Sequence, residues 1–181
     1  MQHVLDHWDG LLRATGGALE KSKSYWYLLD YAYQQGRWVI KPKTANPGDI
    51  SLYNDIMTSP IKRTIDHLNP AESRKALGIY TNPQGNMQAE KLYLRQKAET
   101  WAASFWSCQL QTGDAWYCFT STIMKTIEYP LVTTSFSKKD CAYFMAPILR
   151  FGLQSVRIQR QLPRALVYAP LKYQAIGLHD P

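Results

Sequence analysis

The chain has 181 residues, enough for one domain or two small lobes, and at that size a core forms without help from disulfides or metals. Lysine and arginine number 21 against 14 aspartates and glutamates, and this formal charge of +7 favours a polyanionic partner such as nucleic acid or an acidic membrane. No stretch approaches the roughly 18 uninterrupted apolar residues of a membrane span, and Cys108, Cys118 and Cys141 form no Cys-x-x-Cys pair, which disfavours a disulfide framework and a zinc site.

Taken in chain order, Val4, Leu5, Trp8, Leu11 and Leu12 recur at helical spacing, and Gly16-Gly17 supplies a left-handed stop. That predicts an amphipathic helix from Val4 to Thr15. The same N-terminal stretch has neither a basic n-region nor an apolar h-region, so the chain reads as intracellular, with free thiols and no membrane partner. Next, the aromatic run Lys23 to Tyr31, then Gln35-Gly36, then Arg37-Trp38-Val39-Ile40, predicts a β-hairpin. Strand alternation would set Tyr25, Tyr27, Leu29 and Tyr31 on one face and Trp26, Leu28 and Asp30 on the other.

From Lys41 to Arg74 prolines and Gly48 punctuate short apolar pieces such as Ile50-Ser51-Leu52-Tyr53, a strand and loop region. Ala76-Leu77-Gly78-Ile79-Tyr80 reads as another strand and Asn82-Pro83-Gln84-Gly85-Asn86 as a tight turn. A long helix follows, with Leu92, Leu94, Ala98, Trp101, Ala102, Phe105 and Trp106 as its apolar stripe. Two further helices are expected. One runs from Asp114 to Glu128, before Pro130; the other runs from Lys138 to about Leu153 behind a Ser137-x-x-Asp140 capping signal. The fold class is α+β.

The familiar phosphate-binding, nucleophile-elbow and zinc-helix signatures are absent. His3 and His7 stand four apart on the first helix with no third ligand in view; with His67 and His179 they read as ordinary histidines. The three cysteines fall in apolar helical segments and read as packing. No acidic residue lies between Cys141 and His179, so the C-terminal stretch is the more attractive surface for phosphate. Were it helical, Arg150, Arg157, Arg160 and Arg164 would share one face, although Gly152 and Pro163 interrupt it. Arg95 and Lys97 on the long helix are further phosphate candidates.

One constellation points to a family. Ala14 to Ser24 runs from helix through Gly16-Gly17 to Lys21, Lys23 and an aromatic strand. This resembles motif D of reverse transcriptases, in which a helix ends at glycine and a loop delivers a lysine before a strand. Leu77-Gly78-Ile79-Tyr80 is similar to the motif E strand, or primer grip. The helices after Asn86, with Ile123 to Pro130 and Pro163 to Pro170, resemble the thumb and post-palm region of non-LTR, LINE-like retroelements.

The resemblance implies the C-terminal part of an RNA-directed DNA polymerase, a nucleotidyltransferase of a retrotransposon, acting on an RNA or DNA template-primer. Residues 1–85 would be a palm remnant and 86–181 a thumb-like helical region. Lys23, with Lys21 as its competitor, would approach the nucleotide's β and γ phosphates, and Gly78 would admit the primer backbone. Arg95, Arg150, Arg157, Arg160 and Arg164 would hold nucleic acid. The sequence departs from the family in lacking the motif A carboxylate and the Tyr-x-Asp-Asp turn. No metal site or cofactor is therefore expected in this chain, magnesium belonging to a full-length parent with its own upstream palm and fingers. Alone, the fragment is not expected to polymerise. The alternative is a noncatalytic module that binds protein or nucleic acid.

Overall fold

The computed structural model describes residues 1–43, 48–53, 62–159, 161–173 and 176–177. Among the described residues helix makes up 51% and strand 16%, a mixture of helix and strand consistent with the expected α+β class. It divides into two compact units, Met1–Arg74 with Asn82–Asn86, and Lys75–Thr81 with Met87–Pro181.

In the first unit α1 spans Gln2–Ala14. It ends as the glycine pair dictates: the Gly17 amide donates to the Leu12 carbonyl at 2.8 Å and the Gly16 amide to the Arg13 carbonyl at 3.0 Å, with Gly16 at φ +82°. This is the two-bond αL stop that glycine enters without steric cost. The apolar residues of α1 serve two faces. Leu5 packs on Ile50, Leu52 and Ile65, whereas Val4, Trp8 and Leu11 are each more than half exposed. Gln2 fastens α1 to β4 (Ser51–Tyr53), its side-chain amide donating to the Ser51 carbonyl at 2.8 Å and its oxygen accepting from the Ser51 amide at 2.9 Å.

The aromatic run does not form one strand. β1 (Tyr25–Tyr27) pairs in parallel with β6 (Asp66–Leu68), and Trp26 stacks on His67 with centroids 4.2 Å apart. The hairpin starts only at β2 (Tyr31–Gln34), which pairs with β3 (Arg37–Ile40) across Gln35-Gly36. Both loop residues have positive φ, 49° and 81°, the two-residue turn whose twist matches that of the strands. Leu28 to Asp30 interrupts the expected alternation. β4 pairs antiparallel with β5 (Lys62–Thr64).

Ala76 to Tyr80, expected as one strand, is instead the middle of a hairpin, in which β7 (Arg74–Ala76) and β8 (Ile79–Thr81) flank Leu77-Gly78. Both connecting residues again have positive φ, 51° and 92°. The Asn82–Gly85 turn, in the first unit, forms as expected, the Gly85 amide donating to the Asn82 carbonyl at 3.1 Å.

The long helix, in the second unit, is α2 (Gln88–Ser107), and it buries Leu94, Ala98, Ala102 and Phe105. Leu92 and Trp106 of the expected stripe are exposed. The next helical stretch comprises α3 (Thr112–Tyr117), a π-helical turn (Cys118–Met124) and α4 (Lys125–Leu131). Pro130 lies inside α4 rather than beyond it, and the ladder bond that its missing N–H would make to the Thr126 carbonyl is given up one residue before the helix ends. α5 (Lys138–Ser155) begins at the expected capping box, with Ser137 and Asp140 each accepting from the other's amide. Phe119, Ile123, Ile127, Phe144, Ile148 and Leu153 are buried in the core that these helices enclose. A short α6 (Arg164–Tyr168) follows. Among the described residues no helix is long and apolar enough to cross a membrane.

Candidate nucleic-acid interface

The expected run of arginines on one helical face does not exist, because α5 stops at Ser155. Arg157 sits at φ +61°, the Ile158 amide donates to the Leu153 carbonyl at 2.8 Å, and the chain turns away from the helix axis. This is the same αL stop that closes α1, here with arginine where glycine is usual. Arg157 is exposed. Arg160 lies outside the described residues, as does His179.

The turn nevertheless brings together three residues that are distant in sequence. Arg95 of α2, Arg150 of α5 and Arg164 of α6 line one cavity of ≈ 490 Å³ with Glu99, Ala146, Pro147 and Phe151. Arg95 is committed, its Nε donating to Glu99 Oε1 at 2.6 Å and its guanidinium lying 4.8 Å from the Tyr143 ring. Arg150 stacks 5.3 Å from the Phe151 centroid. Among the described residues neither Arg150 nor Arg164 has an ion pair. Glu99 is the one carboxylate of the lining, so the cavity carries an excess of two positive charges. Such a site attracts phosphate through charge and forked hydrogen bonds.

A second cavity of ≈ 460 Å³ continues from the first, sharing Glu99, Pro147 and Phe151 and adding Ala102, Ala103 and Trp106. Small side chains open it, since Ala102 and Ala103 leave room beside Pro147 and Phe151. Trp106 is 74% exposed and meets Phe151 edge-on, centroids 6.0 Å apart and planes at 74°. No motif in the sequence marks Trp106, Phe151 or Glu99 as a site residue. The available signal is the spacing of Arg95, Glu99, Ala102 and Trp106 along α2 and of Pro147, Arg150 and Phe151 along α5, each following one helix face.

In the first unit Lys23 closes a 3₁₀ turn (Lys21–Lys23) and its side chain is exposed. The turn is folded about Glu20, whose carboxylate accepts from the Ser22 hydroxyl at 2.8 Å and the Ser22 amide at 3.1 Å. Those bonds, the hydroxyl's first, hold the Glu20 carboxyl below its usual range, with the charges of Lys23 and Arg63 adding to the effect. The Lys23 amide donates to the Glu20 carbonyl at 3.1 Å.

Gly78 sits in the β7–β8 turn, and its φ of +92° explains the glycine. Room is not the reason, since an added Cβ would meet only Tyr129 Cε1 at 3.7 Å, an ordinary contact. The Tyr129 hydroxyl donates to the neighbouring Leu77 carbonyl at 2.8 Å and pins the turn.

Cys141 is buried and Cys118 half-buried, but Cys108 is exposed at the end of α2, so it is not the packing thiol expected of it. Among the described residues no group of three or more His, Cys, Asp or Glu could hold a metal ion. Comparison of the chain with family models, with curated proteins and with solved structures finds no match.

Proposed function

We propose that the chain is the C-terminal part of a non-LTR retroelement reverse transcriptase and that it contacts the backbone of a template-primer. The observation that carries the nucleic-acid reading is the convergence of Arg95, Arg150 and Arg164 on one cavity that holds a single carboxylate. Phosphate contacts of this kind give affinity without sequence preference, as a polymerase that moves along any template requires. The polymerase reading is supported by local order: helix α1, a glycine stop, a loop ending in exposed Lys23, then aromatic strand β1. In that reading Lys23 gives a proton to the departing pyrophosphate. The metal-binding aspartates of such enzymes belong to an upstream palm, so this chain supplies contacts and no metal chemistry.

A protein-binding reading has an observation of its own. Val4, Trp8 and Leu11 form an exposed apolar row at helical spacing on α1, a surface suited to another polypeptide. Under the polymerase reading the upstream palm covers it.

Binding of a labelled RNA/DNA template-primer by the full chain, followed as salt is raised, separates the two. Log affinity should fall linearly with log salt, and replacing Arg150 and Arg164 with glutamine should reduce the slope by about one for each phosphate no longer neutralised. Salt-insensitive binding, or none, would leave the protein-interaction reading.

A further inference from the structure

The basic cavity and the aromatic cavity are two ends of one groove between α2 and α5. They share Glu99, Pro147 and Phe151, and at the junction the Arg150 guanidinium lies 5.3 Å from the Phe151 centroid. One end therefore offers two guanidinium groups with no carboxylate partner among the described residues. The other offers Trp106, 74% exposed, with Phe151 edge-on behind it. An amphipathic ligand with an anionic end and a flat apolar end fits both halves at once.

We infer that this groove holds an unpaired nucleotide of a single strand, its base stacked on Trp106 and its flanking phosphates held by Arg150 and Arg164. The inference rests on the nucleic-acid reading above and goes beyond it, because a paired base within a duplex has no free face to offer the indole. Base–aromatic stacking tolerates any base, since every base has a π-face, and it is the usual complement to a positive track in single-strand binders. Charge sets the direction of seating. Glu99 is shared by both ends and paired with Arg95, whereas Arg150 and Arg164 line only the basic end, so the phosphate goes there and the base to Trp106. A polyacidic peptide would satisfy the arginines, but its carboxylate side chains offer no planar ring to Trp106.

The test uses the full chain and two labelled probes of equal length, an oligothymidine and its abasic counterpart, at low salt. Wild type should prefer the oligothymidine by about tenfold. Trp106→Ala should abolish that preference and leave abasic binding unchanged, while Trp106→Phe should keep most of it. Replacing Arg150 and Arg164 with glutamine should weaken both probes together. Because Trp106 is so exposed, its replacement should leave the melting temperature unmoved, which separates loss of stacking from loss of the fold.

Equal affinity of wild type for the two probes would overturn the stacking inference, and so would a Trp106→Ala variant that keeps the preference. If salt-sensitive template-primer binding survives in either case, the broader reading stands. Failure of every nucleic-acid probe removes both. Tighter binding of polyglutamate than of oligothymidine would assign the groove to an acidic peptide instead.

Discussion

Lys91 of α2 donates through its Nζ to the Asp140 carboxylate, and that carboxylate also accepts from the Ser137 hydroxyl and amide at the start of α5. One side chain thus closes a capping box and ties two core helices together. The Lys91 bond first, and the Ser137 bonds after it, hold the Asp140 carboxyl down at about 2. An aspartate depressed in the folded state stabilises fully above its unfolded value, about 3.9, and that contribution is lost as pH falls through the folded one. Thermal melts should therefore be level with respect to Asp140 above pH about 4 and fall between there and pH about 2. Asp140→Asn should be less stable at neutral pH and should lose this part of the acid limb.

Glu90 shifts the other way. Its residue is 1% exposed and its Oε2 accepts from the Tyr80 amide at 2.7 Å, joining α2 to β8. Burial pushes its carboxyl up, against the opposing pull of the Tyr80 bond and of Lys75 and Lys97. The folded state then holds its proton more tightly than the unfolded one, so stability from this group is highest at low pH and declines as pH rises through the raised value. Glu90→Gln keeps an acceptor for Tyr80 and should flatten that decline. Glu90→Ala leaves the amide unpaired and should cost about 1–3 kcal/mol in denaturant unfolding.

Gly152 of α5 packs directly against Phe119 of the π-helical turn. A Cβ there would lie 2.9 Å from Phe119 Cε2, and Phe119 is wholly buried. Gly152→Ala gains helix propensity but forces that ring to move, and the overpacking should win, destabilising by about 1–3 kcal/mol. A raised denaturation midpoint in the alanine variant would contradict this packing.

Arg157 makes the opposite case, a large residue in a left-handed position that costs about 1–2 kcal/mol without glycine. Arg157→Gly should raise the melting temperature. If Arg157 also touches phosphate, the same variant should bind template-primer more weakly and with a salt slope smaller by about one. Gain of stability with unchanged binding would remove Arg157 from the interface.

The local signals in the sequence translate well and the long-range ones do not. Gly16-Gly17, Gln35-Gly36, Asn82-Pro83 and Ser137-x-x-Asp140 each specify backbone geometry within a few residues, and each forms. The aromatic density of Tyr25–Tyr27 announces a strand but not its partner, which is β6, far along the chain at Asp66–Leu68. Leu77-Gly78 is harder, because leucine rarely takes positive φ and the turn hides inside an apolar run. The arginine cavity is illegible for the same reason: the chain reversal that delivers Arg164 turns on Arg157, where no glycine marks it. Lys23 and the family reading rest on order along the chain, and that order is all that carries them.

The route of the backbone between the two units limits how the protein can be divided. The chain passes from one unit to the other after Arg74, returns after Thr81 and leaves again after Asn86. A cut at residue 86, where the family resemblance would divide palm from thumb, would leave Lys75–Thr81 on the other piece. The helical piece would then keep Glu90 without the Tyr80 amide and Tyr129 without the Leu77 carbonyl. Expression of the helical half alone should succeed only when it begins at or before Lys75, carrying the hairpin as an N-terminal strap.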